Sequence, residues 1–372
     1  MLICGIWQPK NGTKQKFNHQ KTSTMTFKLN DTLIDTENFS AENVRQALGN
    51  TEGNNEIVDF LERWCNKSAT ITLKTSGSTG TPKVIEAQKT HMLASAKRTC
   101  SFFGLEPKSI MLLCLPATYI AGQMMIVRAM VSGANLLVVS PRGNIVDQIN
   151  QPIDFAAMVP NQVLKNLTSA QKFNQIKTLI IGGGKVGYNI VNQLSEITTT
   201  CYETFGMTET LSHIAVRKIW PNVQPNFVAF DGVLVSATNN NNLVISDNSL
   251  NISQMQTNDI VRIISATEFE WLGRTDFVIN SGGIKTSPES IEQILEPLIG
   301  KQLCITSKPD EKLGNRIVLV VEGEKTNITT QLNILEQKVS RYSVPKEVIW
   351  INQLPRNKNG KLDRLALSDM IK

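Results

Sequence analysis

Between residues 110 and 181, short apolar runs alternate with segments of helical spacing. The runs lie at 110–115, 135–140, 155–159 and 178–181, with helical patterns at 122–131 and 162–167. Parallel strands need crossover connections, usually helices, so this alternation predicts an α/β fold built on mostly parallel sheet. From about residue 229 to 264 the character changes. Apolar runs at 232–236, 242–246 and 259–264, interrupted by the asparagines at 239–242, predict a small antiparallel region of hairpins. After Trp271 a further unit begins. Ser287-Pro288-Glu289 combines an N-cap candidate, a proline in the first turn and an acid beside the helix dipole. Strand-like 302–306 and 317–322, a helical 329–339 and a polar tail follow. The expected organisation is a disordered or spurious extension at 1–24, with Met25 an alternative start, a large domain at 25–274 and a small α+β domain at 275–372.

Composition removes several classes. The 372 residues are 41% hydrophobic and 19% charged, ordinary for a globular protein. The net charge of +6 is concentrated at the start, where Lys10, Lys14, Lys16, Lys21 and Lys28 face no acid. Without them, 33 basic residues stand against 32 acidic ones, so no basic nucleic-acid surface is indicated. Six cysteines (Cys4, Cys65, Cys100, Cys114, Cys201 and Cys304) and three histidines show no paired spacing. Neither a disulfide framework nor a zinc site follows, and the expectation is a reduced, cytoplasmic protein. Residues 109–127 carry no charge, but Pro116, Gly122 and Gln123 interrupt them. A buried strand, a loop and a buried helix account for that stretch without membrane insertion. The oligomeric state stays open.

The most specific local signal is Thr75-Ser76-Gly77-Ser78-Thr79-Gly80-Thr81-Pro82-Lys83, after a strand-like 69–73. Glycines let the backbone turn tightly enough to aim several N–H groups at one anion, the hydroxyls add donors, and Lys83 adds a mobile charge. The segment reads as a phosphate-cradling loop, though not of the Walker kind, since no Gly-Lys-Ser/Thr follows Gly77 at the required spacing. A solvated Gly/Ser turn is the bland alternative.

Here the chain resembles the adenylate-forming superfamily of acyl-CoA synthetases, nonribosomal adenylation domains and luciferases. Residues 75–83 match its glycine-rich phosphate loop. Further matches follow in the superfamily's order: Phe205-Gly206-Met207-Thr208-Glu209, Asp259, Gly273-Arg274-Thr275-Asp276, and Leu354-Pro355-Arg356-Asn357-Lys358-Asn359-Gly360-Lys361. The resemblance covers about residues 69–370 and implies ATP and CoA as co-substrates with Mg²⁺ as cofactor. It implies that Thr75, Ser76, Gly77, Ser78, Thr79, Gly80 and Lys83 bind phosphates, and that Gly182, Gly183, Gly184, Phe205 and Gly206 border the adenine. Asp259 and Arg274 would hold the ribose, with Thr208 on the α-phosphate and Glu209 on Mg²⁺. Asp276 would be the hinge of a mobile C-terminal domain, Lys361 the catalytic lysine it carries, and Ser281, Gly282 and Gly283 would line the CoA tunnel. The chemistry is self-consistent: in-line attack on an α-phosphate needs positioning and cations, and Mg²⁺ prefers hard carboxylate oxygens. Read singly, Thr208-Glu209 is also an N-cap pair, Asp259 a strand-end acid and Lys361 a surface lysine.

Departures from the pattern concern pocket shape. Phe205 stands for a tyrosine, Asn258 for a glycine and Phe277 for a common second aspartate, and residues 115–122 lack a frequent histidine. The part before the phosphate loop is short for the superfamily. Within it, residues 180–185, 205–215 and 280–285 look most like the o-succinylbenzoate–CoA ligases. Such an aromatic dicarboxylate needs a fixed cation for its second acid group, and Arg128, Lys165, Lys185 and His213 are unranked candidates. Alternatives are another aryl or acyl acid–CoA ligase, an enzyme adenylating for a carrier protein, or a non-catalytic nucleotide-binding protein. From another class, Gly182-Gly183-Gly184-Lys185-Val186-Gly187 satisfies Gly-x-Gly-x-x-Gly, with Glu203 about twenty residues on, as in an NAD-dependent dehydrogenase.

Overall fold

The computed structural model describes residues 25–74, 84–356 and 362–371. The first described element is a hairpin, β1 (Thr26–Leu29) and β2 (Thr32–Asp35), followed by α1 (Ala41–Leu48) and α2 (Asn54–Cys65). Ser40 caps α1 by accepting from the Asn43 amide at 3.3 Å, satisfying one of its orphan donors. Strands β3 (Thr70–Lys74) and β4 (Val84–Gln88) pair antiparallel as a separate two-stranded sheet, with Lys74 opposite Val84. Then come α3 (Lys89–Phe103), β5 (Ile110–Leu113), α4 (Ile120–Ser132), β6 (Asn135–Val138), β7 (Ile153–Met158), α5 (Pro160–Asn166), α6 (Ala170–Phe173), β8 (Ile176–Ile181), α7 (Tyr188–Gln193) and β9 (Thr200–Gly206).

Strands β1, β6, β5, β7, β8 and β9 lie side by side in that order, all parallel. Successive side chains of β5 go to opposite cores. Met111 and Leu113 join Phe60, Met92 and Met124 on one face; Leu112 joins Phe173 and Ile190 on the other. A sheet covered on both faces requires such continuously apolar strands. The uncharged 109–127 stretch thus resolves as the sequence predicts. It gives β5, a turn, and α4, buried at every position from Gly122 to Met130. A helix apolar all round is an interior helix, and Arg128 is its one charge.

The antiparallel region continues the same sheet. Strands β10 (His213–Trp220), β11 (Phe227–Ala229), β12 (Val233–Ala237), β13 (Asn242–Asp247), β14 (Ile252–Ser265) and β15 (Glu268–Arg274) extend it from β9 in the order β10, β11, β15, β14, β13, β12. The hairpins expected at 232–264 are therefore one edge of the main sheet.

The remaining elements are β16 (Ile279–Ser281), β17 (Ile284–Thr286), α8 (Pro288–Ile299), β18 (Leu303–Asp310), β19 (Gly314–Glu322), α9 (Thr329–Glu336), β20 (Glu347–Ile351) and α10 (Arg364–Met370). They bury their own apolar clusters, one including Ile291, Ile305 and Leu319, the other Val318, Leu354 and Leu367. Pro288 opens α8 as expected. Ser287 occupies the N-cap, but its hydroxyl makes no capping bond. It lies instead within hydrogen-bond distance of the Leu272 carbonyl at 3.0 Å and of Glu289 Oε2 at 2.9 Å, its single proton shared between them, which ties the helix start to β15. Two further contacts join α8 to the main sheet: Lys185 Nζ pairs with Glu296 Oε2 at 3.1 Å, and Gln293 donates to the Trp271 carbonyl at 3.3 Å. Among the described residues no helix is long and apolar enough to cross a membrane.

Candidate active site

The parallel pairing of β8 with β9 sets Ile181 opposite Glu203, so Gly182, Gly183 and Gly184 leave the sheet beside the strand end that carries Phe205 and Gly206. The glycines are needed for packing. A Cβ on Gly182 would lie 2.3 Å from Thr204 Oγ1, and one on Gly206 would lie 2.4 Å from the Ser212 carbonyl. Phe205 packs edge-on against Phe269 at 5.1 Å between ring centroids, and against Phe227 at 5.7 Å. A half-buried ring in that corner keeps a stacking surface.

Met207 leads into a single 3₁₀ turn, Thr208–Thr210. Thr210, in place of Thr208 and Glu209, makes the cap of this turn. Its Oγ1 accepts from the Met207 amide at 3.0 Å and donates to the Ser212 carbonyl at 2.7 Å. Thr208 and Glu209 are left with no side-chain partner among the described residues, and Glu209 is exposed. Among those residues no group of three or more His, Cys, Asp or Glu side chains could cage a metal. One free carboxylate suits a Mg²⁺ ion that keeps its waters and is held chiefly by phosphate oxygens.

A second group forms on the β14–β15 ladder, where Asp259 sits opposite Arg274. Asp259 is 5% exposed. Its Oδ1 accepts from Trp271 Nε1 at 2.9 Å and its Oδ2 lies 3.5 Å from Arg274. Burial pushes the Asp259 carboxyl above the usual carboxylate range; the indole hydrogen bond and Arg274 pull it back, while Asp276 adds to the rise. Arg274 also donates to Asp276 Oδ2 at 2.6 and 3.1 Å, and Asn258 donates to Asp276 Oδ1 at 3.0 Å. Phe205 contacts Phe269 on the strand that carries Arg274, which links this group to the first.

The four candidate cations separate. Lys165 is exposed on α5. Lys185 spends its charge on Glu296. His213 is driven well below the usual imidazole range, first by burial and then by Arg128 and Arg98, so it is neutral and cannot be the fixed cation. Arg128 is 2% exposed. It donates to Ser212 Oγ at 2.6 Å and contacts Met125 Sδ at 3.5 Å, its Nε has no partner, and no acid pairs with it among the described residues. The half-buried Arg98, which with Arg128 acts on His213, does have an acid, Asp247 at 2.5 Å.

Three expectations stand apart. Residues 75–83 and Lys361 lie outside the described residues; β3 and β4 flank the first segment, and Arg356 pairs with Leu362 across the second. The β16–β17 hairpin packs on residues 313 and 342, with Gly282 donating to the Leu313 carbonyl at 2.9 Å. Gly282 and Gly283 are exposed, but Ser281 is 1% exposed, so in this arrangement it lines no open tunnel. The dehydrogenase reading fails at Glu203. The strand–glycine–helix order is present, yet Glu203 is 5% exposed, accepts from the Val186 amide at 3.0 Å and pairs with Arg217 at 2.6 Å. It has no freedom to receive a ribose.

A family model described as AMP-binding enzyme matches residues 13–241. The chain belongs to the AMP-binding enzyme family. Within that family, a 2-succinylbenzoate–CoA ligase of Staphylococcus epidermidis is 28% identical over 321 residues, covering 78% of this chain and 67% of its own. One from Listeria monocytogenes is 25% identical over 342 residues, covering 84% and 73%. Among solved structures, an acyl-CoA synthetase (AMP-forming)/AMP-acid ligase II-like protein of Dyadobacter fermentans is 32% identical, with a TM-score of 0.58, covering 87% of this chain and 96% of its own. The o-succinylbenzoate coenzyme A synthetase (MenE) of Bacillus subtilis, in complex with ATP and magnesium ion, shares the fold at 18% identity and a TM-score of 0.67, covering 80% and 69%. The AMP-binding enzyme is thus of the kind the sequence predicted, an AMP-forming acid–CoA ligase.

The sequence reading missed Trp271 and Ser212. Trp271 contacts Asp259 and Ser212 contacts Arg128, each across pairings distant in sequence that no local pattern marks.

Proposed function

We propose that this AMP-binding enzyme is an o-succinylbenzoate–CoA ligase. One carboxylate of the acid attacks the α-phosphorus of ATP and expels pyrophosphate; the CoA thiol then attacks the acyl carbonyl and expels AMP. Asp259 and Arg274 receive the ribose, Phe205 and the 182–184 loop border the adenine, and Thr208 donates to the α-phosphate. Glu209 would hold Mg²⁺, which would supply positive charge to offset the phosphates when bound. Residues 75–83 cradle the phosphates, and Lys361 serves the adenylation step from the 275–372 unit, which rotates about Asp276 to admit CoA at Gly282 and Gly283.

The observation that carries the substrate assignment is Arg128. Burying a guanidinium without an acid is costly, and a site that keeps one is prepared to receive an anion. Ser212 links it to the site, since Ser212 also meets Gly206 and Thr210. A second carboxylate on the acyl substrate fits that requirement, and a fatty acid or a simple benzoate does not. The naming of the similar ligases supports the same substrate. All five described cysteines are free, which suits a reducing compartment such as the cytoplasm.

The test is pyrophosphate release over a panel of carboxylic acids, with and without CoA. o-Succinylbenzoate should give the highest kcat/KM, and AMP should accumulate with the thioester only when CoA is present. A higher value for benzoate or a fatty acid would refute the substrate assignment while leaving the reaction class.

A further inference from the structure

We propose that Trp271 is a positioning residue for the nucleotide: its indole N–H fixes the Asp259 carboxylate in the orientation that reads the ribose diol. The inference rests on Asp259 as the ribose acceptor. Asp259 emerges on β14 where the ladder is irregular. Ile260 pairs with Gly273 but Val261 pairs with Trp271, so Leu272 is bulged out. The bulge brings the indole of Trp271 to Asp259 Oδ1 at 2.9 Å. A carboxylate has two rotatable oxygens, and one short bond from a rigid, two-torsion side chain fixes that rotation. The other oxygen faces Arg274 at 3.5 Å, too far for a hydrogen bond, so among the described residues the indole is the stronger of the two side-chain donors to this carboxylate, ahead of the Thr257 hydroxyl. Each oxygen keeps a lone pair for one ribose hydroxyl.

A tryptophan N–H that merely satisfies itself on a nearby acceptor would matter for folding alone. Here the acceptor is 5% exposed and expected to bind the substrate, so removing the donor should alter nucleotide selection before it alters the fold. The indole bond is also the largest influence opposing the effect of burial on Asp259, ahead of Arg274. The charged groups facing Asp259 are Arg274 and, beyond it, Asp276. Without the indole bond the Asp259 carboxyl rises further, and the acid limb of kcat/KM for ATP should move to higher pH.

The experiment compares ATP with 2′,3′-dideoxy-ATP in acid-dependent pyrophosphate release, for the unmutated enzyme, Trp271→Phe, Trp271→His and Asp259→Asn. Trp271→Phe should reduce the preference for ATP about tenfold, through KM, with kcat within about twofold, the scale of losing one hydrogen bond to a charged group. Trp271→His, which retains a ring N–H, should recover part of the preference. If Trp271→Phe kept the wild-type preference while Asp259→Asn lost it, the positioning role would be refuted and the ribose role kept. If Asp259→Asn also kept the preference, the ribose assignment itself would fall. Should Trp271→Phe not fold, emission from the unmutated protein decides: ATP should change it and dideoxy-ATP at equal occupancy should not, and equal changes would overturn the role.

Discussion

Arg128→Met should separate stability from substrate choice. Methionine matches much of the arginine stem and removes the charge. Burial pushes the Arg128 guanidinium from its ordinary value down to about 10, a depression worth about 3 kcal/mol. The sign follows from protonation. Below about pH 10 the group is charged in both folded and unfolded states, so the whole cost is present at neutral pH. It shrinks only as pH rises through the folded value. Against that, the variant loses the 2.6 Å bond to Ser212, a charge-assisted contact worth roughly 1.5–3 kcal/mol, although the Ser212 hydroxyl still has His213 Nδ1 at 3.3 Å. The balance is zero to about +2 kcal/mol in favour of the variant, or a Tm unchanged or raised by up to about 4 °C. Activity should move the other way. Losing the partner of a desolvated carboxylate costs about 2–5 kcal/mol, so kcat/KM for o-succinylbenzoate should fall roughly 30-fold to several thousand-fold. A monocarboxylic aryl acid, lacking the distal group, should be handled as well as before or better. The assays are thermal unfolding and pyrophosphate release on the two acids. A destabilised variant with an unchanged ratio between the acids would refute the argument and make Arg128 structural.

Glu209→Gln should require more Mg²⁺ for half-maximal adenylation while unfolding at the wild-type temperature, since it removes one hard oxygen at an exposed position; wild-type behaviour at limiting Mg²⁺ would remove the metal role. Lys361→Ala should cut acyl-adenylate formation by orders of magnitude yet still convert supplied acyl-adenylate and CoA to thioester, whereas Asp276→Pro, which fixes φ, should do the reverse; equal damage to both steps in both variants would end the rotating-unit mechanism. Gly206→Ala should lose adenylation at least tenfold with the fold retained, because its Cβ meets the Ser212 carbonyl at 2.4 Å and the turn bearing Thr208 and Glu209 must shift; this is read by pyrophosphate release with circular dichroism as the control.

The legible parts were those written in local order. The alternation between 110 and 181 predicted β5, α4, β6, β7, α5 and β8, because parallel strands buried on both faces must be continuously apolar. The motif residues after β8 and at the end of β9 were legible only through the resemblance to the superfamily, since the alternation predicts no strand at β9. What escaped depends on pairings distant in sequence. Arg128 and Ser212 are 84 residues apart, and nothing local ranks Arg128 above Lys165 or Lys185. Trp271 reaches Asp259 only because of the bulge at Leu272, and a regular ladder inferred from alternation would have set the register differently. Ser287 looked like a cap because caps are local. It is instead recruited by the Leu272 carbonyl, 15 residues away, a competition sequence cannot weigh.

Three substitutions relative to the superfamily pattern, at 205, 258 and 277, share one feature in the structure. Each substituted residue has found a new partner within its own neighbourhood. Phe205, without a hydroxyl, packs against Phe227 and Phe269. Asn258, where a glycine is usual, holds Asp276 Oδ1 while Arg274 holds Oδ2, so both oxygens of Asp276 are engaged by side chains from β14 and β15. Phe277, where an acid is common, lies under the Arg364 guanidinium at 5.1 Å, and Arg364 in turn makes a bidentate pair with Glu292 on α8 at 2.8 Å. A second acid at 277 would compete for that arginine; an aromatic ring shares it. Asn258 and Phe277 thus both bear on the surroundings of Asp276, and both add contacts to the segment joining the main sheet to the smaller unit.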